Sequence, residues 1–125
     1  MTTPLAAKRV VHLGGAEREL KYTPRAFIVL GVNMMNAKQV QDIFNQIATD
    51  PQLPTKLILA GLVHSDKQLT FDKVLDWLDA CDNTAEVILE ACQALSDSLT
   101  QYYKQVEASF GNGDQPANPQ NAQIG

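Results

Sequence analysis

The feature of this sequence that most constrains its fold is an apolar stripe that runs from Ile88 to Val106. Apolar side chains recur there at steps of three and four residues, which is the spacing of one face of an α-helix. Such a stripe is stable in water only when the rest of the chain covers it. The sequence therefore predicts a helix of about six turns that closes a helical domain, with these inward residues: Ile88, Ala91, Cys92, Leu95, Leu99, Tyr102 and Val106.

Two shorter segments are apolar over most of their circumference and are predicted to be buried helices. The first begins at Thr23-Pro24, because threonine can cap a helix and proline is tolerated at its first position. It is predicted to run to about Val32 and to be the most buried helix of the domain. The other repeats the cap-and-proline signal at Asp50-Pro51 and is predicted to continue through Val63. The apolar residues of the first are Phe27, Ile28, Leu30 and Val32.

Two further segments have one apolar face each and are predicted to be surface helices. Asn36 with Gln39 resembles a capping box, and the helix it begins is predicted to end near Thr49. Thr70 is the predicted cap of the next helix, with Asp72 favourably placed in its first turn. The predicted inward residues are Val40, Ile43, Phe44 and Ile47 in one helix, and Val74, Leu75, Leu78 and Cys81 in the other.

A β-hairpin is predicted ahead of the helices. Gly14-Gly15 supplies the positive φ angles of a tight turn, and Leu20 and Tyr22 alternate with charged neighbours as in a half-buried strand. The fold class is therefore mainly α, an N-terminal β-hairpin followed by about five helices in a compact bundle. We expect a flexible N-terminus at 1–8, one domain at 9–110 and a disordered tail at 111–125, where glycine, asparagine, proline and glutamine dominate.

Composition narrows the classes of function. A chain of 125 residues with 45% apolar and 19% charged residues can bury one core without a metal, a disulfide or a cofactor. The net charge of −4 disfavours nucleic acid as a partner. No signal peptide and no membrane-spanning stretch is recognisable, which predicts a cytoplasmic protein. Cys81 and Cys92 lack the spacing of metal ligands or of a redox pair.

Catalytic chemistry finds little support in the sequence. His12 and His64 are the only side chains with a neutral-range reference pKa, and both fit structural roles on a strand and at a helix end. The acidic residues between Asp76 and Glu86 alternate with an apolar stripe, as on any solvated helix face. No phosphate-binding, dinucleotide-binding or hydrolase motif is present. We therefore expect a protein that binds other proteins and is not an enzyme.

Aromatic and aliphatic side chains on the predicted helices are the candidate binding anchors. Tyrosine and tryptophan bring a large rigid surface with a polar tip, which favours them at interfaces, although core packing explains most of these residues equally well. The candidate protein-interaction residues are Trp77, Tyr102, Tyr103, Phe27 and Leu30.

Four short motifs follow one another along the chain: LGG at 13–15, ERELKY at 17–22, LAGLVH at 59–64 and LTFDKV at 69–74. In order and spacing, from about Val11 to Leu99, they resemble the tail assembly chaperones of long-tailed phages and gene transfer agents. Such proteins often carry acidic residues near the end of the first helix, where this chain has Leu30-Gly31-Val32-Asn33.

The resemblance implies a function and two partners. Tail assembly chaperones bind the tape measure protein and keep it soluble until tail tube subunits polymerise around it. They act in the host cytoplasm and are absent from the mature virion, and many are also made as a longer frameshifted product. The expected partners are therefore the tape measure protein and the tail tube protein. Whether the protein also forms a homo-oligomer is left open.

Two other functions share the same sequence features. A structural virion component, such as a head-tail connector or a tail completion protein, is also small and acidic with a hairpin and helices. A regulatory or antidefence adaptor that binds a host protein fits the composition as well. Presence in purified particles would favour the structural component over the chaperone.

We predict that truncation after Phe110 preserves helicity and cooperative unfolding. Residues 111–125 bring no apolar stripe, and five of them are glycine or proline, so ordering them would cost entropy without burying apolar surface. Circular dichroism and urea unfolding of the full and truncated chains measure both properties. Loss of a cooperative transition in the truncated chain would contradict the predicted boundary.

Overall fold

The computed structural model describes residues 8–110. The elements are β1 (Lys8–Leu13), β2 (Ala16–Lys21), α1 (Pro24–Leu30), α2 (Ala37–Gln46), α3 (Leu53–Leu62), α4 (Phe71–Ala80) and α5 (Thr84–Phe110). This order confirms a mainly α fold with an N-terminal hairpin followed by five helices. Lys8, counted with the flexible N-terminus, begins β1 instead; the predictions for 1–7 and 111–125 lie outside the described residues.

The two strands form an antiparallel hairpin with a two-residue turn. Leu13 pairs with Ala16 across Gly14 and Gly15, whose φ angles of 64° and 77° belong to the left-handed region that favours glycine. Alternation along the strands puts Val11, Leu13, Leu20 and Tyr22 on one buried face. The opposite face is exposed to solvent, as the sequence predicts. The hairpin is therefore held in place by the helices that its buried face contacts.

Helix α3 is the centre of the domain. It contacts α1, α4, α5 and β2, and it buries these residues: Leu53, Thr55, Leu57, Ile58, Ala60, Gly61 and Leu62. Helix α1 was predicted to be the most buried helix, and that prediction is wrong. With seven residues, α1 makes less than two turns and packs mainly on α3, burying Ala26, Phe27 and Leu30. Ile28 lies on its outer side and is 80% exposed.

Three helix boundaries differ from the predicted ones. Helix α1 ends at Leu30 and not near Val32, because Gly31 at its C-cap adopts the left-handed conformation. Helix α2 ends at Gln46, before the predicted Thr49. Helix α3 begins at Leu53, where Pro54 occupies the first turn. The Asp50-Pro51 pair lies before α3, and the Asp50 carboxylate accepts a hydrogen bond from the Gln52 backbone N–H.

Helices α2 and α4 begin as their caps predict. The Asn36 side chain accepts from the Gln39 backbone N–H, and the Thr70 hydroxyl accepts from the Lys73 backbone N–H. In α4, Val74 and Leu78 are buried, but Leu75, predicted to face inward, is 37% exposed. Cys81, also predicted inward, is the C-cap of α4 and is only half-buried.

Helix α5 runs through 27 residues and buries a seam of small and apolar side chains. The seam includes Ala91, Ala94 and Ser98, whose small size allows α3 and both strands to approach the helix. Ile88, Cys92 and Val106, predicted to face inward, flank the seam and are half-buried. None of the described helices, α5 included, has a charge-poor apolar stretch long enough to cross a lipid bilayer.

Tyr22 links the hairpin to both α3 and α5. Its hydroxyl donates a hydrogen bond of 2.7 Å to the carbonyl oxygen of Leu57, and its own carbonyl oxygen accepts one of 2.6 Å from the Tyr102 hydroxyl. Both bonds are buried, so each is stronger than it would be in water. This pair of bonds fixes the position of β2 relative to two helices that are distant from it in sequence.

Gly61 is the reason β2 can lie so close to α3. A Cβ atom at position 61 would stand 2.8 Å from Leu20 Cδ2 and 2.9 Å from the Tyr22 hydroxyl oxygen. Three residues further on, His64 Nε2 lies 2.8 Å from the carbonyl oxygen of Glu19. Since a carbonyl oxygen only accepts, this ring nitrogen carries the hydrogen. Strand β2 is therefore held by α3 and by the turn that directly follows it.

We predict that Tyr22→Phe weakens the dependence of stability on alkaline pH. Desolvation raises the pKa of the Tyr22 hydroxyl well above its ordinary value of 10.0. The unfolded chain therefore loses this proton first, and the free energy of unfolding falls as pH rises above about 10. Each such proton contributes a slope of about 1.4 kcal/mol per pH unit.

The measurement is urea unfolding of both proteins between neutral pH and about pH 11.5. The variant should be less stable by about 1 kcal/mol at neutral pH, because one buried hydrogen bond is lost. Above pH 10 its stability should fall less steeply than that of the unchanged chain. Two parallel pH profiles would contradict the prediction.

Candidate functional site

Three of the five candidate interaction residues lie in the core. Phe27, Leu30 and Tyr102 are buried, and the rings of Phe27 and Tyr102 meet edge to face with centroids 6.1 Å apart. The Tyr102 hydroxyl donates a hydrogen bond to the carbonyl oxygen of Tyr22. Burial raises the pKa of that hydroxyl. These side chains expose 8% of their surface or less, so Trp77 and Tyr103, which are half-buried, offer a partner more accessible surface.

Tyr103 is hydrogen-bonded to Met34, one of the residues that line a shallow groove at the C-terminal half of α5; Tyr103 itself does not line this groove. Its hydroxyl donates a hydrogen bond of 3.2 Å to the carbonyl oxygen of Met34, in the segment between α1 and α2. The groove has a volume of about 280 Å³, and Met34, Met35 and Val106 contribute its apolar lining. Met35 is 51% exposed. Methionine adapts its shape to different partners, so this groove can accept an apolar side chain.

Trp77 is packed against the hairpin turn. The guanidinium carbon of Arg18 lies 3.8 Å from the centroid of the indole ring, a cation–π contact. Arg18 also donates hydrogen bonds to the carbonyl oxygens of Leu13, at 2.6 Å, and Gly14, at 3.3 Å. A Cβ atom at Gly14 would lie 2.7 Å from the indole ring. The indole therefore fixes the turn on α4 and is only half-buried in doing so.

A second groove opens beside Trp77, between the hairpin turn and the C-terminal end of α4. Its volume is about 400 Å³, and its lining is mainly apolar and backbone surface from these residues: His12, Leu13, Gly14, Gly15, Ala16, Trp77, Ala80 and Cys81. The Asn83 side-chain amide donates to the carbonyl oxygen of His12, which ties the α4–α5 junction to β1. We refer to this feature as the turn groove.

The titratable groups that the sequence singled out are dispersed. His12 lies on the wet face of the hairpin, 3.4 Å from the Glu17 carboxylate, and His64 is bound to Glu19. Asp76, Asp79, Asp82 and Glu86 are exposed. Within residues 8–110 no group of three or more histidine, cysteine, aspartate or glutamate side chains is arranged to hold a metal ion.

The two cysteines are free thiols. Cys81 Sγ lies 3.4 Å from the Leu78 carbonyl oxygen and 3.2 Å from the Thr84 hydroxyl, in the connection between α4 and α5. Burial raises the pKa of the Cys92 thiol, which lowers its thiolate fraction and with it its nucleophilicity at neutral pH. Both side chains act here as small packing groups.

Sequence reasoning missed several exposed apolar side chains. Leu89 is 69% exposed on α5, and Val10 and Met35 are also exposed. Leu89 could have been found, because it falls outside the three-and-four spacing of the α5 stripe. Met35 could not, since the segment between α1 and α2 has no periodicity that assigns a face.

We predict that Gly14→Ala destabilises the domain more than Gly15→Ala. Both positions have positive φ angles, so an alanine is strained at either one. The added Cβ at Gly14 also overlaps the Trp77 ring, whereas at Gly15 nothing lies within 4 Å. Overpacking of this kind costs about 1–3 kcal/mol, which sets the expected difference between the two variants.

Urea unfolding of the two variants measures the difference directly. Combining each substitution with Trp77→Leu, which removes the indole, should bring the two costs close together. Equal costs in the presence of Trp77 would show that the indole is not pressed against the turn.

Known proteins supply no counterpart from which the roles of these residues could be transferred. No protein-family model, no curated protein and no solved structure matches this chain. Any function therefore has to be argued from the residues of this chain and from the motif resemblance stated above.

Proposed function

We propose that this protein is a phage tail assembly chaperone that binds the tape measure protein and keeps it soluble while the tail tube assembles. The observation that carries the proposal is that motifs far apart in the sequence contact each other in the fold. The resemblance rests on the order of these motifs, and in the fold two of the motifs contact each other directly.

The contacts join the motif at 17–22 to the motif at 59–64. Leu20 and Tyr22 pack against the bare backbone of Gly61, and the Glu19 carbonyl oxygen is bound by His64. The LGG motif and the LTFDKV motif are less directly linked: Gly14 contacts Trp77, which follows the second of them on α4. Several of the characteristic positions thus serve to dock the hairpin on the helices.

The accessible surface suits a partner with apolar helices. A tape measure protein is a long helical chain whose apolar stripes would aggregate if left bare. Trp77 and Tyr103 lie near opposite ends of α5, and the axial distance from Thr84 to Tyr103 is about 28 Å. The groove beside Trp77 and the groove lined by Met34, the hydrogen-bond partner of Tyr103, can receive side chains of an amphipathic helix. The protein would act in the host cytoplasm by binding, without catalysis, and leave before the virion is complete.

We expect co-expression with the tape measure protein of the same phage to keep that protein soluble. Binding through apolar surface should survive about half-molar salt, because charge pairing between exposed groups is screened beyond about 10 Å at 0.1 M, whereas hydrophobic association is not. Fractionation of lysates, followed by affinity purification at low and high salt, measures both properties.

Two results would overturn the proposal. One is a tape measure protein that stays insoluble in the presence of this chain. The other is the presence of this chain at fixed stoichiometry in purified particles, which would favour a structural component such as a head-tail connector.

We expect Tyr103→Asp to weaken binding of the tape measure protein by about 2 kcal/mol, because it places a charge in the apolar contact. The matched control is Tyr103→Phe, which removes the hydrogen bond to Met34 but keeps the ring. Affinity of both variants is measured by titration after circular dichroism shows that they are folded. Equal affinity of the two variants would remove Tyr103 from the interface.

A further inference from the structure

The negative charge of this protein is concentrated on one part of its surface. Residues 72–90 contain six of the 14 acidic side chains and one of the 10 basic side chains. This segment therefore carries a net charge of −5 and the remainder of the chain one of +1, which together give the net charge of −4. The segment comprises almost all of α4, the α4–α5 connection and the first turns of α5.

Most of these acidic groups have no partner within the described residues. Asp72, Asp76, Asp79, Asp82 and Glu86 are exposed, and none of them forms an ion pair there. Only the sixth, Glu90, is paired, with Arg9 at 2.9 Å. Lys73 is the single basic residue of the segment. A row of like charges on neighbouring helical turns is mutually repulsive, so cations from outside would relieve it.

None of the acidic residues lines the turn groove, but Asp76, Asp79 and Asp82 are close in sequence to the α4 residues that do, and we refer to these three as its acidic border. Asp76 is one helical turn before Ala80, which lines the groove, and Asp79 and Asp82 flank the pair formed by Ala80 and Cys81. Ala80 itself is exposed. Arg18, which packs on Trp77 at the groove, is already held by the indole ring and by two carbonyl oxygens. The groove thus combines an apolar floor with an unpaired acidic border.

We propose that the turn groove binds a partner helix that inserts an apolar side chain beside Trp77 and places lysine or arginine side chains against Asp76, Asp79 and Asp82. Complementary charge selects this occupant: an acidic helix would be repelled, and an uncharged helix would leave the acidic border unpaired. The inference rests on the proposed function only in naming the tape measure protein as the natural source of such a helix.

The two parts of the contact differ in what they control. The acidic border acts at long range and accelerates encounter with a basic helix, an effect that salt screens. The apolar floor acts only in contact and governs dissociation. Salt should therefore slow association while leaving the lifetime of the complex almost unchanged, which agrees with a complex that survives high salt.

Trp77 provides the signal for a direct test. It is the only tryptophan of the chain and it lines the turn groove, so its fluorescence reports occupancy without a label. The probes are two designed helical peptides with the same leucine stripe, flanked in one by lysine and in the other by glutamate. The lysine peptide should give a saturable change and bind at least tenfold more tightly than the glutamate peptide.

Substitutions in and outside the turn groove test whether the lysine peptide binds there. Ala80→Gln fills the groove from an exposed position and should weaken binding of the lysine peptide at least tenfold. Ala108→Gln, at an exposed position near the C-terminal end of α5, should leave that binding unchanged. The triple variant D76N/D79N/D82N should remove most of the salt dependence of association. Its matched control is D42N/D50N/E107Q, which changes the net charge equally at positions that share no pocket with Trp77.

Stopped-flow mixing between about 0.05 and 0.5 M salt gives both rate constants. We expect association of the lysine peptide to slow about tenfold over this range in the unchanged chain, with little change in dissociation. Equal binding of the two peptides, no saturable signal, or equal effects of the two triple variants would each overturn the inference.

Failure of the groove and failure of the chaperone function are separable. If Ala80→Gln leaves solubilisation of the tape measure protein intact while abolishing peptide binding, the groove is a real site that the chaperone function does not use. If solubilisation fails but the lysine peptide binds as expected, the groove is still a binding site and its natural partner is another basic helix. If neither peptide binds, the groove proposal falls whatever the co-expression result.

Discussion

The close approach of β2 to α3 is the constraint on which the rest of this domain depends. A two-stranded hairpin is marginal in water by itself, so its buried face must be covered. Gly61 provides the space, and Tyr22 uses it to place a hydroxyl on the Leu57 carbonyl oxygen. Helix α5 then closes over the other side through Tyr102. Two elements that lie more than 30 residues from the hairpin in sequence are in this way fixed to one strand.

Much of the fold could be predicted from the sequence because local signals and tertiary structure agree. The Gly14-Gly15 turn and the side-chain caps at Asn36 and Thr70 are found as predicted. The ranking of helices by burial failed for a physical reason. Apolar content measures what a helix could bury, whereas burial depends on how many neighbours it has. Helix α1 is too short to have more than one packed face, so Ile28 stays in water.

The candidate site was harder to predict, because aromatic side chains serve cores and interfaces equally well. Tyr102 and Tyr103 are adjacent in sequence, yet Tyr102 is buried in the core, whereas Tyr103 is half-buried and bonded to the α1–α2 connection at Met34. Their positions follow from which side of α5 meets Tyr22, a tertiary contact that no local pattern encodes. The uneven charge of residues 72–90 was readable from the sequence, but its meaning depends on the turn groove beside it.

The turn groove shows why stability and binding cannot be assigned to separate residues here. Trp77 forms a wall of the groove and also contacts Gly14 and Arg18, which set the hairpin turn. Any substitution that removes the indole changes the turn as well, so loss of binding in such a variant would have two explanations. Ala80 and the acidic border lack this second role, since they are exposed and contribute nothing to the core. The proposed recognition by this surface is therefore best tested at its rim, where exposed side chains can be changed without altering the core.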